Sequence, residues 1–225
     1  MINSPCNPTG ALISEEEMAK IGEEAARRRL WVVVDLCYEK LIYEPVAHNL
    51  PAVLNRTCRD LTVLCGSSSK AYSMTGWRCG WQLGPAAVIS ASGALQSHST
   101  SNVNSVTQKA AVTALTSSLD TVRAMLDEYR TRRDAVHGWL TANSRLRCLK
   151  PAGAFYVFID CSEVLSSSGL RTSADFARAL LEEERVAVTP GEAFDAPGFF
   201  RISYATSMDL LREGSRRILA FVDRH

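Results

Sequence analysis

Apolar residues recur along this chain with two different periods, and the alternation between them sets out its elements. Ser14 and Glu17 form an S-x-x-E capping box ahead of Met18, Ile21 and Ala25 at helical spacing, which predicts a helix over 15–29. Leu30-Trp31-Val32-Val33-Val34-Asp35 follows at once. This short, continuous apolar run predicts a strand buried on both faces, as in parallel sheets covered by helices. Asp35 then falls at the strand's carboxyl end, where open α/β sheets place their ligands. Leu61 to Cys65 repeats the pattern as a second strand, and Arg78 to Leu83 makes a third. Past Gly84-Pro85 the spacing turns helical over 86–96, 105–115 and 119–142, the last with Val122, Leu126, Val136 and Leu140 on one face.

The texture changes after Asn143. Leu149 to Gly153 is a turn, Ala154 to Ile159 an aromatic-rich strand, and Thr172 with Asp175 a second capping box ahead of Phe176, Leu180 and Leu181. Phe199 to Tyr204 predicts a strand carrying Arg201, and Ser207 caps a final helix with Leu211, Ile218 and Val222 inward. The expected fold class is α/β. A mostly parallel-sheet domain occupies residues 1–135 and a smaller α+β domain residues 136–225, with the long helix linking them.

Composition narrows the function classes. With 225 residues, 46% of them hydrophobic, the chain is long enough for one large or two modest cores. Lys and Arg number 25 against 24 Asp and Glu, a balance that argues against a nucleic-acid face. Seven cysteines without a C-x-x-C pair fit free thiols in a reducing compartment, hence a cytoplasmic location, better than a disulfide framework. The start, Met1-Ile2-Asn3-Ser4-Pro5, has no secretion-signal pattern, no run reaches membrane-span length, and the four histidines have no metal-ligand spacing. No membrane, nucleic-acid or metal partner is expected.

The candidate chemistry centres on Gly66-Ser67-Ser68-Ser69-Lys70-Ala71-Tyr72-Ser73-Met74-Thr75-Gly76-Trp77-Arg78-Cys79-Gly80. A serine-rich turn with one lysine is by itself an ordinary solvated loop. Met74, Trp77, Cys79 and Trp81 in so short a span instead place Lys70 near a core, where desolvation frees an amine as a nucleophile for imine formation. Three further clusters accompany it: Asn3-Ser4-Pro5-Cys6-Asn7-Pro8-Thr9-Gly10, Asp35-Leu36-Cys37-Tyr38, and Phe200-Arg201-Ile202-Ser203-Tyr204-Ala205. Taken singly, an Asn-Pro pair marks a turn and an aspartate after a strand caps a helix.

Taken together, and in this order, the clusters resemble the motifs of fold-type I pyridoxal-phosphate enzymes, and within them the class I/II aminotransferases of the aspartate aminotransferase group. N-x-x-x-N-P-T-G, D-x-x-Y, S-x-S-K followed by G-x-R-x-G, and R-I-S-Y-A run from residue 3 to residue 205. The resemblance implies pyridoxal 5'-phosphate as cofactor, with Lys70 as its Schiff-base lysine and then the general base at the substrate's α-carbon. It implies that Asp35 pairs with the pyridine nitrogen, that Tyr38 and Asn7 bond the phenolate oxygen, and that Ser67, Ser69 and Arg78 hold the phosphate. Arg201, with Asn7 beside it, would grip the substrate α-carboxylate in a forked geometry that lysine does not reproduce. Gly153, Phe155 and Tyr156 resemble the family's small-domain strand, with a packing role. Thr189 to Phe194 resembles the aspartate-type branch, so the implied reaction moves an amino group from an aspartate-like L-amino acid to a 2-oxo acid, in a homodimer.

The family's large domain has a long segment ahead of the asparagine motif. The resemblance therefore implies a chain that lacks the N-terminal part of that domain, with sheet edges and apolar faces left uncovered. Two alternatives to an active aminotransferase stay open: a non-catalytic remnant or fragment, and a pyridoxal-phosphate C–S/β-lyase of the same fold.

Overall fold

The first helix starts where its S-x-x-E pattern puts it. In this computed structural model, which describes residues 1–225, α1 covers Glu15–Arg28. Ser14 Oγ accepts the Glu17 N–H at 3.1 Å, and Glu17 Oε2 accepts the Ser14 N–H at 2.9 Å. Arg29 then turns left-handed at φ 56°, the Leu30 N–H still donates to the Ala25 carbonyl at 2.8 Å, and the strand begins only at Val32, where pairing with Thr62 starts.

Two compact units follow from the packing. One comprises Met1–Pro5 with Leu12–Ala124, the other Cys6–Ala11 with Met125–His225. The reading of the sequence set the change at 135/136. In the structure the chain passes from one unit to the other eleven residues earlier, inside α5 (Asp120–Thr141), and the short 6–11 segment belongs to the second unit.

The first unit is built on a four-stranded sheet in the order β1 (Ile2–Asn3), β2 (Val32–Asp35), β3 (Thr62–Ser67), β4 (Gly80–Leu83). The first three strands are parallel and β4 runs antiparallel to β3, with Ser67 opposite Gly80. Two glycines permit that pairing. A Cβ on Gly66 would lie 2.2 Å from the Trp81 indole nitrogen, and one on Gly80 would lie 2.8 Å from the Gly66 carbonyl oxygen. Met18 and Ala25 of α1 pack with Leu50, Val53 and Leu54 of α2 (Leu50–Thr57) against Val32 and Val34. The expectation that β2 is buried on both faces is corrected: its residues alternate buried and half-buried, because α1 and α2 cover one face. On the remaining elements burial is sparse. Helix α3 (Ala86–Ser99) has no buried residue, and α4 (Ser105–Thr116) buries only Thr107 and Ala111.

The second unit closes its own core. β5 (Tyr156–Asp160), β7 (Phe199–Ser203) and β6 (Thr189–Pro190) form an antiparallel sheet in that order, accompanied by α6 (Ser162–Ser167), α7 (Ser173–Glu184) and α8 (Met208–Arg224). Residue alternation divides the sheet's two faces. Val157, Ile159 and Phe200 are fully or almost fully buried, and Phe200 stacks on Phe176 of α7, which meets Phe221 of α8 edge-on. Tyr156, Phe158, Phe199 and Arg201 alternate with them on the other side. No helix of the chain is long and apolar enough to cross a membrane.

Candidate functional site

The candidate residues fall into two groups, one in each unit. In the first unit, Asp35 ends β2 opposite Cys65 of β3 and Asn3 of β1. Its Oδ1 accepts the Cys37 N–H at 2.8 Å, an Asx turn that fixes the carboxylate beyond the strand end, and Asn3 Nδ2 donates to its carbonyl oxygen at 3.3 Å. Tyr38 is buried within the same turn, closed by the Leu41 N–H donating to its carbonyl at 2.8 Å.

The lysine turn leaves β3 at Ser67 and is held by its hydroxyls. Ser67 Oγ accepts the Ser69 N–H at 3.0 Å and donates to the Cys79 carbonyl at 3.4 Å, while the fully buried Ser68 donates to that carbonyl at 3.1 Å. The Met74 N–H reaches back to Ser69 at 3.0 Å, and buried Ala71 and Met74 anchor the turn. Lys70 is half-buried. The expected proximity to a core holds for Met74 and fails for Trp77, which is 44% exposed. Arg78 sits left-handed at φ 54° and is exposed, its Nη1 donating to the Thr75 carbonyl at 2.8 Å.

Cys37 shows that these residues converge. Burial pushes its thiol above the ordinary range, the Asp35 carboxylate adds to the rise, and the charge of Lys70 and a hydrogen bond with Ser67 oppose it. Asp35, Lys70 and Ser67 thus all act on this one thiol. Sequence reasoning passed over Cys37; its signal was its place inside the D-x-x-Y motif.

In the second unit, Arg201 lies directly opposite Phe158 of β5 and Thr189 of β6. Its Nη1 donates to Asn7 Oδ1 at 2.7 Å and its Nη2 to Thr189 Oγ1 at 3.3 Å. The guanidinium carbon lies 4.4 Å from the Tyr156 ring centroid and 4.9 Å from that of Phe194, contacts worth about 0.5–2 kcal/mol each. Arg201 Nε is buried and has no hydrogen-bond partner. A buried donor left so costs about 1–3 kcal/mol, and a carboxylate is the acceptor a guanidinium edge fits best. The aromatic walls were missed as functional: Tyr156 looked like packing, and Phe194 lay in a tail noted only for its motif.

Asn7 reaches Arg201 because its segment is docked into this unit. The Cys6 N–H donates to Ala11 at 2.9 Å, and the Gly10 carbonyl accepts from Ala152 and Gly153 at 3.1 and 2.9 Å. Gly10 has φ +69°, and a Cβ there would lie 2.5 Å from Pro151 Cβ, so only glycine serves.

The groups of the first unit have the chemistry that a phosphorylated aldehyde carrying a basic ring would require. The first unit offers a carboxylate, an amine, and serine hydroxyls with a guanidinium; the second, taken by itself, offers a guanidinium with one donor unused. A family model described as aminotransferase class I and II matches residues 1–218. The aspartate aminotransferase of Bacillus subtilis (strain 168) is 40% identical over 225 residues, covering 100% of this chain and 57% of the relative. The aspartate/prephenate aminotransferase of Cereibacter sphaeroides is 41% identical over 227 residues, covering 98% of this chain and 57% of the relative. The crystal structure of the Rhizobium meliloti aspartate aminotransferase superposes with a TM-score of 0.93 at 40% identity, over 99% of this chain and 57% of that one. The chain spans a little over half the length of the curated relatives it matches.

Proposed function

The chain belongs to the aminotransferase class I and II family and has the fold of the fold-type I pyridoxal-phosphate enzymes, and from that premise we propose that it supplies the lysine-bearing part of a pyridoxal-phosphate-dependent aminotransferase acting on an aspartate-like L-amino acid and a 2-oxo acid. When bound, the cofactor supplies an electron sink for charge at the substrate's α-carbon. Asp35 holds the ring nitrogen's proton by its charge, Tyr38 and Asn7 hydrogen-bond the ring oxygen, and Ser67, Ser69 and Arg78 bind the phosphate. Lys70 carries the cofactor through its amine and moves the proton at the substrate's α-carbon. Arg201 binds the α-carboxylate, held flat by Tyr156 and Phe194 and tethered by Asn7. The observation that carries this reading is the buried Arg201 Nε without a partner, on a guanidinium already fixed by two rings and an amide.

Assembly as a homodimer in the cytoplasm belongs to the same proposal. Support comes from the seven free thiols, which suit a reducing compartment, and from the uncovered apolar residues of α3 and α4, which suit association.

Borohydride reduction in the presence of pyridoxal phosphate, followed by peptide mass spectrometry, tests the proposal. A pyridoxyl adduct on Lys70, absent in Lys70→Ala, is the expected result; no adduct at Lys70 overturns the proposal and favours the remnant reading. With the adduct present, spectra of the half-reaction with L-aspartate accumulate aminated cofactor for a transaminase and none for a lyase.

A further inference from the structure

The face of the second unit's sheet that carries Arg201 also carries a cavity to which no role has been given. It encloses about 490 Å³, within the range of small-ligand sites. Phe158 and Phe199 form its apolar floor, stacked at 4.9 Å with 15° between their planes. Arg147 and Lys150 also line it, with Cys148 between them in sequence, as does Thr9. Both cations are exposed, and each is paired only with an acid that is itself substantially exposed: Arg147 with Glu163 at 3.2 Å, Lys150 with Asp134 at 2.9 Å. Such pairs contribute little and exchange readily for an incoming anion. Asp160 is the one acid in the lining, and its Oδ1 is engaged by the Ser162 N–H at 2.9 Å at the start of α6. The cavity's lining therefore combines two stacked aromatic rings with two cations against one acid.

We propose that this cavity binds a single-ring aromatic carboxylate, its ring against Phe158 and Phe199 and its carboxylate between Arg147 and Lys150. Stacked and edge-on ring contacts favour an arene over an alkyl chain of equal size, and two cations favour the carboxylate over a neutral arene. The site is separate from the Arg201 grip and does not depend on the aminotransferase reading, although the two are neighbours. Phe158 lies directly across the strands from Arg201, and Thr9 lies in the 6–11 segment that brings Asn7 to it. An occupant thus touches both elements that hold the grip.

The test uses the full 225-residue chain and 4-fluorophenylacetate, followed by fluorine NMR, with a second readout at Cys148. The expected result is saturable binding that slows modification of Cys148 by methyl methanethiosulfonate, read by peptide mass spectrometry. The double variant Arg147→Glu/Lys150→Glu changes only exposed side chains and should weaken binding by about tenfold or more, with an unchanged circular dichroism spectrum. Absence of saturable binding at millimolar probe overturns the proposal. So does binding that leaves Cys148 unprotected, which would put the probe elsewhere, for instance at Arg201. Binding unaffected by the double variant overturns it as well.

Discussion

The two units handle their apolar surface differently. The second buries Phe176, Phe200, Tyr204 and Phe221 completely, and Arg201 rests on the sheet face opposite the Phe176–Phe200–Phe221 cluster. The first covers one side of β2 with α1 and α2, yet leaves Leu83 58%, Leu95 73% and Val106 69% exposed and gives α3 no buried side chain. In the second unit, Arg201 is held by hydrogen bonds to Asn7 and Thr189 on a sheet whose other face is packed. In the first, the lysine turn hangs on a sheet whose edge strand β4 is largely exposed, so its local order rests on the hydrogen bonds to Cys79 and on buried Ala71 and Met74. Exposed edges and apolar faces of that kind are interaction surfaces.

Substitution should break this contrast most visibly in the cores. Phe200→Ala removes a fully buried ring and is expected to cost about 3–5 kcal/mol, while Leu95→Ser, on the uncovered α3, should fall within about 0.5 kcal/mol of zero. Denaturant titration of the two variants measures both. A large loss from Leu95→Ser would mean that α3 is packed in solution, as it would be inside an oligomer.

The helix caps sharpen the comparison at a smaller scale. Ser14 caps α1 in the first unit and Thr172 caps α7 in the second, each accepting one backbone N–H. Ser14→Ala and Thr172→Ala should each cost about 1 kcal/mol if both units unfold cooperatively. A much smaller cost for Ser14→Ala, read by the same titrations, would show that the first unit is already loosened.

The most selective effect is expected in alkali. Burial pushes the Cys148 thiol up to about 11 and the Cys161 thiol up to about 12, both in the second unit. A thiol whose folded value is raised contributes stability below its unfolded value, near 9, and that contribution is lost as pH rises toward the folded value. Thermal melts between pH 8 and 10.5 should therefore fall less steeply in Cys161→Ala than in the parent chain. Parallel slopes would show that Cys161 is not held neutral by the fold.

Much of this architecture was legible beforehand. The S-x-x-E box placed α1, the apolar run placed the end of β2 at Asp35, and Ser207 placed α8, because each is a local preference written in neighbouring residues. Helix α2 was missed: eight residues with Pro51 in its first turn give too short a pattern, and it forms because Leu50, Val53 and Leu54 pack beneath β2. The two-residue strands β1 and β6 carry no periodic signal and exist only through their partners. The antiparallel sense of β4 is likewise a property of pairing and not of its own four residues.

The candidate site divides along the same line. The sequence by itself determined which chemical groups are present and in what order, since an amine, a carboxylate, hydroxyls and guanidinia at fixed spacings are read directly from Lys70, Asp35, Ser67, Ser69, Arg78 and Arg201. Tertiary structure alone decided which of them meet. Asn7 and Arg201 are separated by 194 positions and are joined by a 2.7 Å hydrogen bond because Gly10 can lie against Pro151. Tyr156 and Phe194 flank that arginine because strand alternation turns one to the same face and the turn after β6 delivers the other. Local propensity acts over a few residues, whereas contact between distant side chains is set by how the chain satisfies its backbone and buries its apolar surface as a whole.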